Sequence, residues 1–358
     1  MIKKNKKWCF WVLGILFLSV FLVVLLNYLV DTYGIFRTNF KNQVVEPNQH
    51  FIKVRYIASN PKRFDSFVFG SSRVNAIDVS KLKDGKWYNM TYSEGLPAEH
   101  LRHIKFFKTK GVDIKNVLIG LDDFSYKIDP RTHLEQMLRQ PYPPTIGESA
   151  LHYYIRYLMR LPDKKVLKST FKAYLDRKKG IKTYYDHYDF YNTGRGDTKF
   201  LDERIERDPE KYRKDERFKK PTVFRGNRVK ETINEIKEIV DFCKNNKINL
   251  IIFINPHHHI TYLNSNLTQF FYFKKELANI TDYYDFSGLN SITTDNYYFY
   301  ETSHYRTIVG DMMLKRIFGY PDIRVPDDFG VKVTKDNIDE HLKKQKEEVK
   351  KYSNADNT

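Results

Sequence analysis

Cysteine is scarce in this chain of 358 residues, and long apolar stretches are limited to one. The two cysteines are Cys9, inside the apolar stretch, and Cys243, so no disulfide can cross-link the rest of the chain. That part must therefore be stabilised by a packed core. No later segment is apolar enough to cross a membrane, and no internal repeat is visible. These absences exclude a disulfide scaffold, a polytopic membrane protein and a repeat architecture.

The apolar stretch covers residues 8–30 and follows a lysine cluster within residues 1–7. A helix of this length spans the roughly 30 Å hydrocarbon layer of a bilayer, whereas helices in a soluble core seldom run so long without a charge. Because no Ala-x-Ala cleavage pattern follows, we expect an uncleaved signal anchor. The positive-inside rule keeps residues 1–7 in the cytoplasm. The sequence thus predicts a single-pass protein of the cell membrane with an extracytoplasmic C-terminal domain.

The chain is strongly basic, with a formal net charge of +17. On an exported domain this charge favours the membrane surface and anionic cell-envelope polymers such as teichoic acids or acidic polysaccharides, and we expect no nucleic-acid partner. A general enrichment in Lys, Asn and Tyr explains the same charge equally well without a binding role.

Short apolar runs alternate with amphipathic segments between residues 64 and 330. Periodicity predicts strands at 67–69, 87–90, 116–121, 248–254 and 283–286, and helices at 74–82, 97–108, 228–244, 267–277 and 304–317. This alternation is typical of an α/β fold with a doubly wound, mainly parallel sheet. We expect five strands between two layers of helices, a three-layer α/β/α arrangement.

Three further regions lie around or within this pattern. Residues 31–63 are predicted as a juxtamembrane segment, and residues 331–358 as a charged C-terminal tail with a mobile or surface helix. Residues 124–225 are rich in Tyr, Lys and Arg, are broken by prolines, and predict a long helical insertion. The insertion is either a lid with a basic aromatic surface or a solvated cover.

Two distant motifs together predict a catalytic site. Gly70-Ser71-Ser72-Arg73 follows the first strand, and a serine on a sharp strand-to-helix turn presents its hydroxyl as a nucleophile. Glu301 and His304 have a spacing that places both on one face of a helical turn, where the carboxylate can orient the imidazole. Ser72, His304 and Glu301 are therefore the predicted catalytic residues.

Each member of this predicted triad has an alternative. Gly-Ser-Ser also suits an ordinary turn in which a serine caps the next helix, and Ser71 could replace Ser72. Asp285 or Asp295 could supply the carboxylate in place of Glu301. His304 could be a hydrogen-bonded core histidine without a catalytic role.

Further polar residues follow the carboxyl ends of the predicted strands. Gly95 follows the second strand, Asp122 the third and His257 the fourth. Ligands bind at these ends in open parallel sheets, so we expect oxyanion or substrate contacts from these residues and from Arg73. Histidines 257–259 also allow a metal-site interpretation, but no carboxylate or cysteine cluster accompanies them. We expect neither a metal nor a cofactor.

The order of these motifs resembles the SGNH (GDSL-like) hydrolase superfamily. Gly70-Ser71-Ser72 is similar to its Gly-Asp-Ser block, Gly95 to the glycine of its second block, and Glu301-Thr302-Ser303-His304 to its Asp-x-x-His block. Gly120-Leu121-Asp122-Asp123 resembles the third block, Gly-x-Asn-Asp. The resemblance implies an SGNH-like fold in which Ser72 forms an acyl-serine intermediate.

Asp122 departs from the family pattern. The family's asparagine donates a hydrogen bond to the oxyanion, whereas an ionised aspartate would repel that charge. We expect Asp122 to pair with Arg73 or to hold a substrate hydroxyl. The backbone N–H groups of Ser72 and Gly95 would then serve as the oxyanion donors.

More narrowly, the chain resembles membrane-anchored SGNH-like proteins that accompany membrane-bound O-acyltransferases in bacterial envelope modification, including teichoic-acid D-alanylation. It is similar to them in its single anchor, in the exit motif of Asp31, Tyr33 and Phe36, and in Gly-Ser-Ser. The resemblance implies a serine O-acyltransferase that moves an acetyl, D-alanyl or similar group onto an envelope polysaccharide or teichoic acid, with a polytopic membrane-bound O-acyltransferase as partner. The alternatives are a carbohydrate esterase of the same fold and a non-catalytic scaffold for an envelope polymer or a membrane acyltransferase.

Overall fold

The computed structural model describes residues 2–36, 46–161, 163–181 and 187–355, with the backbone alone for residues 2–6 and 355. The apolar N-terminal stretch forms one long helix, α1 (Ile2–Val30). Within the described residues, it is the one helix long and apolar enough to cross a membrane, and none of its apolar window is buried in the protein. These properties are compatible with a membrane anchor.

The described strands form one large sheet and one small antiparallel pair. In chain order they are β1 (Ser66–Phe69), β2 (Trp87–Asn89), β3 (Asn116–Leu121), β4 (Tyr188–Asp189), β5 (Arg195–Gly196), β6 (Asn249–Ile254), β7 (Tyr283–Asp285) and β8 (Val331–Val333). The large sheet has the spatial order β2-β1-β3-β6-β7-β8, and every neighbouring pair is parallel except β7 with β8. Because strand order reverses beside β1, the carboxyl end of β1 lies at the edge where ligands bind in such sheets.

Eleven more helices follow α1 in the described chain. They are α2 (Gln49–Ser59), α3 (Pro97–Thr109), α4 (Ala150–Met159), α5 (Lys164–Lys178), α6 (Lys199–Glu206), α7 (Pro209–Arg213), α8 (Val229–Asn245), α9 (His259–Leu263), α10 (Leu267–Ala278), α11 (Thr307–Phe318) and α12 (Ile338–Ala355). The helix α8 shows why they form: Val229, Ile236 and Cys243 are buried along one face while charged residues occupy the other.

Alternating side chains of the strands enter two cores on opposite faces of the large sheet. On β1, Phe67 and Phe69 enter one core, which α2, α3, α8, α10 and α12 cover. Val68 enters the other core, which includes residues of α11. This alternation follows from strand geometry, in which successive side chains point to opposite faces. Because both faces of the sheet are apolar, helices cover both of them, as expected of an α/β fold.

The expectation of five strands is wrong by one, since the large sheet of the described chain has six. The additional strand β8 lies in the part predicted as a charged tail. It has three residues, it pairs antiparallel at the sheet edge, and Val333 is its one buried residue. So short an edge strand between charged residues leaves no apolar run in the sequence. The same part contains α12, whose Ile338 and Leu342 are buried in the core that α10 also covers.

The predicted helix at 74–82 is also wrong. Two 3₁₀ turns, Ser72–Ala76 and Val79–Lys81, occupy this segment. The side chains of Ser71 and Asp78 accept hydrogen bonds from backbone N–H groups two residues later, and such local bonds compete with a continuous α-helix.

The insertion at residues 124–225 contains α4 to α7 and the small β4–β5 pair in its described part. The helix α4 and residues near Phe190 form a third apolar cluster with Ile35 and the first turn of α2. The β4–β5 pair lies near the turn at residues 70–73, here named the nucleophile turn after the role predicted for Ser72, since the backbone N–H of Gly196 donates to Asn75 at 2.8 Å. The insertion therefore packs against both the exit of α1 and the carboxyl end of β1.

Candidate active site

A sharp turn at the carboxyl end of β1 presents Ser72. Gly70 has a φ of +149°, and a Cβ atom there would lie 2.5 Å from Val74, so only glycine fits. The Ser71 hydroxyl is buried and accepts a hydrogen bond from the Arg73 N–H at 3.2 Å. Ser71 thus caps the turn, and Ser72 is the serine whose side chain faces His304.

Ser72 and His304 are in direct contact. The Oγ atom of Ser72 lies 2.8 Å from Nε2 of His304, and Nδ1 of His304 is hydrogen-bonded to Oε1 of Glu301. The three side chains therefore have the order of hydroxyl, imidazole and carboxylate that a serine nucleophile requires. The structure brings together the three residues predicted to be catalytic.

The turn that holds Glu301 differs from the predicted helical one. The helix α11 begins at Thr307, three residues later than predicted, and residues 301–303 form a bend. The carboxylate of Glu301 accepts the N–H groups of Ser303 at 2.7 Å and His304 at 2.9 Å, which closes the bend. The contact with the imidazole is thus fixed by side-chain to backbone bonds rather than by helical periodicity.

The carboxyl group of Glu301 is held in its ionised form. Burial raises its pKa, but the hydrogen bond and charge of His304, the Ser303 N–H and the charge of Arg73 outweigh burial, and the net pKa is lowered. Both Glu301 and His304 stay more than one third exposed at the cavity surface. An ionised carboxylate at this position stabilises the imidazolium that forms when Ser72 gives up its proton.

The two alternative carboxylates lie elsewhere in the structure. Asp285 is buried with Lys274 and His341, each at 2.8 Å. Asp295 pairs with Arg213 at 2.9 Å. Since neither contacts His304, Glu301 is the carboxylate of this site.

A cavity of about 420 Å³ opens beside Ser72. It is lined by residues from the turns after β1, the juxtamembrane segment, the loop after β2, the insertion and the loop before α11, namely Glu46, Ser72, Arg73, Asn75, Ala76, Ser93, Tyr188, Thr198, Leu201, Tyr300, Glu301, His304 and Tyr305. The cavity is large enough for part of a substrate with several heavy atoms, and the polar side chains in its lining suit a substrate with hydroxyl groups. The triad is therefore accessible from a cavity that the insertion helps to enclose.

Arg73 anchors a buried charge network next to Ser72. Its Nη1 donates to Asp122 at 2.9 Å and to Asp123 at 3.2 Å, and all three side chains are buried. Burial lowers the pKa of Arg73, but the two carboxylates outweigh it and the net pKa is raised, so Arg73 stays charged. In the described chain its Nη2 has no hydrogen-bond partner. Of the two roles expected for Asp122, pairing with Arg73 is the one its contacts display.

Asp122 has a second partner that the sequence did not indicate. Asn255, at the end of β6, donates to the same oxygen of Asp122 at 2.9 Å and accepts a bond from the Tyr305 hydroxyl at 2.8 Å. This chain of bonds joins the ends of β3 and β6 to the residue that follows His304. It thereby fixes the spacing between the two halves of the site.

His257 lies behind the site and does not line the cavity. It is buried, and its Nε2 accepts the N–H of Asp123 at 3.3 Å. Burial lowers the pKa of His257 and keeps the ring neutral. His258 and His259 bind Asn296 and the Thr293 carbonyl instead. Across the described ranges no group of three or more His, Cys, Asp or Glu residues could hold a metal ion.

Gly95 packs its backbone on the nucleophile turn. A Cβ atom there would lie 2.4 Å from the carbonyl oxygen of Gly70 and 2.9 Å from the His100 ring, so only glycine allows this approach. Its N–H donates to the carbonyl of Tyr92 at 3.3 Å, a long hydrogen bond. Gly95 thus lies beside the turn, but its N–H is bonded to Tyr92 and not directed to the oxyanion role expected of it.

Several cavity residues carry weak signals in the sequence. Tyr300 and Tyr305 flank the Glu301 and His304 motif, and this adjacency is the one feature of the sequence that could have predicted cavity residues. Glu46 comes from the juxtamembrane segment, and Tyr188 and Thr198 come from the insertion. Only the three-dimensional packing of these segments brings them to Ser72.

No protein-family model matches the chain, and the curated proteins include no match. The case for a function therefore depends on the site itself.

Proposed function

We propose that this protein is a membrane-anchored, extracytoplasmic serine O-acyltransferase of the SGNH type that modifies a cell-envelope polysaccharide or teichoic acid. The observation that carries the proposal is the 2.8 Å contact between the Ser72 hydroxyl and the His304 imidazole, with Glu301 bound to the other ring nitrogen. A hydroxyl, an imidazole and a carboxylate in this order are the arrangement used for acyl transfer on several unrelated folds.

In the first half of the reaction, Oγ of Ser72 forms a bond to the carbonyl carbon of the acyl donor while its proton passes to Nε2 of His304. The electron pair of the carbonyl bond moves to the oxygen. The electron pair then returns and re-forms the carbonyl bond as the bond to the leaving group breaks, and His304 gives the proton to that group. An ester between the acyl group and Ser72 remains.

In the second half, a hydroxyl of the acceptor attacks the acyl-serine, and His304 takes its proton. The bond to Oγ of Ser72 breaks, and the same proton returns to Ser72. The acceptor leaves as an ester, and the site is restored without any external oxidant or reductant. Water in place of the acceptor hydroxyl gives hydrolysis, the esterase alternative.

Arg73 is the candidate stabiliser of the oxyanion. It lines the cavity, it stays charged, and its position is fixed by Asp122 and Asp123. A preorganised cation beside the reacting carbonyl lowers the energy of the negative charge in the transition state. This role replaces the asparagine that the resemblance would otherwise require.

The cavity lining favours a carbohydrate or polyol acceptor. Tyr188 and Tyr300 provide aromatic surface, and Asn75 and Thr198 are polar side chains of the same lining. Aromatic faces and short polar side chains are the combination that contacts a sugar ring. Because one membrane helix cannot move an acyl group across a bilayer, the proposal includes a polytopic membrane-bound O-acyltransferase as the donor's source.

A fluorophosphonate probe tests the proposal on the full chain, because it labels an activated serine covalently. We expect labelling in the wild type and none in Ser72→Ala or His304→Ala. Ser93→Ala is the matched control, since Ser93 lines the same cavity and is contacted by Arg139 rather than by a histidine. A folded wild type without labelling, or labelling that persists in Ser72→Ala, would refute the proposed chemistry.

Transfer and hydrolysis are then separated with an activated acyl ester. In the presence of glycerol as a model polyol, a transferase releases the glycerol ester, whereas an esterase releases free acid at the same rate with or without glycerol. Predominant free acid at high glycerol concentration would favour the esterase.

A further inference from the structure

The insertion presents apolar side chains to solvent next to the end of α1. On α4, Leu151, Ile155 and Met159 are 68%, 48% and 56% exposed, and their spacing of four places them on one helix face. Leu161, just beyond the helix, is 78% exposed. The opposite face of α4 is buried through Tyr153 and Tyr157. Both the buried face and the solvent-exposed face of α4 therefore carry apolar or aromatic side chains.

The position of α4 relative to α1 is fixed by hydrogen bonds. The side chain of Asn27, in the last turn of α1, donates to the carbonyl oxygens of Leu158 at 2.8 Å and Arg160 at 2.7 Å. The Tyr157 hydroxyl donates to Asp31 at 3.1 Å. The exposed apolar face of α4 thus begins where the apolar surface of α1 ends.

The next helix, α5, has 15 residues and no buried side chain in the described structure. Phe171, Tyr174 and Leu175 are 63%, 51% and 41% exposed along one side. The same helix is strongly basic, and its cations are Lys164, Lys165, Lys168, Lys172, Arg177 and Lys178 against the single acidic residue Asp176. A helix that contributes nothing to the domain core, and combines exposed aromatics with lysines, has the composition of an interfacial membrane helix.

We propose that α4 and α5 lie on the membrane leaflet from which α1 emerges and bind anionic phospholipids there. The exposed side chains of Leu151, Ile155, Met159 and Phe171 enter the headgroup region, and the lysines of α5 contact lipid phosphates. Two features favour a lipid surface over another occupant. The apolar face continues the surface of α1, and the positive charge of α5 complements anionic headgroups.

A shallow groove of about 450 Å³ on α4 supports the same occupant. It is lined by Met137, Gln140, Tyr153, Ile155, Tyr157 and Met159 together with Arg156 and Arg160. Exposed apolar surface next to arginine is the pairing that an acyl chain and a phosphate would contact. This inference uses the membrane anchor of the proposed function but does not depend on the serine chemistry.

The test measures lipid contact in the full chain reconstituted in vesicles of phosphatidylcholine with phosphatidylglycerol. Cys9→Ser removes the exposed thiol, and burial raises the pKa of Cys243 to about 12, which keeps that thiol unreactive. In this background Ile155→Cys, Phe171→Cys and Asp322→Cys each receive an environment-sensitive fluorophore. Asp322 is the matched control, because it is fully exposed and lies in the loop after α11.

We expect lipids with a quencher in the headgroup-proximal part of the acyl chain to reduce fluorescence at positions 155 and 171 at least two-fold more than at position 322. Equal quenching at all three positions would overturn the proposal. So would labels at 155 and 171 that are shielded from aqueous iodide yet not quenched by lipid, because that result indicates a second copy of the chain as the occupant.

The charge component is tested separately. Replacement of Lys164, Lys165, Lys168 and Lys172 by Gln is expected to reduce lipid quenching at position 171 at least two-fold while position 155 keeps its value. Unchanged quenching at 171 would overturn the role of anionic lipid. Fluorophosphonate labelling of Ser72 in the same samples distinguishes these outcomes from a failure of the proposed catalysis.

Discussion

The Nε2 atom of His304 lies 2.8 Å from the Oγ atom of Ser72, although 232 positions separate the two residues in the chain. The contact depends on the order of the sheet, in which β1 and β3 are central neighbours and the loop before α11 returns to the carboxyl end of β1. Residues that are remote in sequence thus meet at the position where strand order reverses.

Replacing Glu301 by Gln is expected to slow fluorophosphonate labelling of Ser72 by about 100-fold or more, because the imidazolium of His304 loses its anionic partner. The change is measured as the second-order rate of labelling. Asp295→Asn is the control, since Asp295 pairs with Arg213 and not with His304. A comparable loss in both variants would contradict the role of Glu301.

The ion pair between Arg73 and Asp122 is expected to be important for folding. Asp122→Asn keeps the shape of the side chain but leaves a buried cation less compensated, which costs about 2 to 4 kcal/mol in the free energy of unfolding. Urea unfolding measures this value. The same measurement on Glu238→Gln, which breaks the exposed pair with Lys105, is expected to change stability by less than about 0.5 kcal/mol. Equal effects would show that burial of the pair is unimportant.

Gly95→Ala is expected to displace the nucleophile turn, because the added Cβ would lie 2.4 Å from the carbonyl oxygen of Gly70. We expect a loss of about 1 to 3 kcal/mol in stability and at least a ten-fold slower labelling of Ser72. Gly111→Asn is the control, since no atom lies within 4 Å of a Cβ there and asparagine tolerates its positive φ. Normal labelling in Gly95→Ala would show that the turn adjusts freely.

A buried pair between His133 and Glu99 predicts a pH-dependent stability. Burial lowers the pKa of His133, but the neighbouring carboxylates of Glu94 and Glu99 outweigh burial and raise the pKa to about 9, with Glu99 Oε1 at 2.9 Å from Nδ1. A raised pKa contributes stability that is fully present below the unfolded value of about 6.5 and is lost as pH rises through about 9. The contribution is on the order of 3 kcal/mol.

The measurement is the free energy of unfolding of the wild type and His133→Gln between pH 6 and pH 10. The difference between the two proteins is expected to shrink across the window from 6.5 to 9. A constant difference would mean that His133 does not titrate in that range.

Local patterns in the sequence are enough to predict the elements that bury a regular set of apolar residues. The strand predicted at 116–121 coincides with β3, since its apolar run is continuous and bounded by polar residues. The predicted helix at 97–108 matches α3 within one residue, because Pro97 marks its start. Elements decided by side-chain hydrogen bonds, such as the turns after Ser71, and by edge pairing, such as β8, lack such a pattern.

The same distinction separates the site residues that the sequence predicts from those that it does not. Ser72, Glu301 and His304 belong to short motifs, so their residue types and spacing predict them. The partner of Asp122 and the cavity wall depend on which segments pack together, and residues such as Asn255 and Tyr188 have ordinary neighbours in the chain. Long-range packing produces no local sequence pattern, so a single sequence does not predict these contacts.

The turn after α1 bears on where the cavity beside Ser72 lies relative to that helix. Asp31 has a positive φ of 39°, and its carboxylate accepts the N–H groups of Ile35 and Phe36 and the hydroxyl of Tyr157. A loose stalk would allow the domain to swing through a wide volume, whereas hydrogen bonds of Asn27 and Asp31 tie the end of α1 to the insertion. In the proposed function, this attachment holds the enzyme close to the end of α1, within reach of the layer of polymer nearest the bilayer.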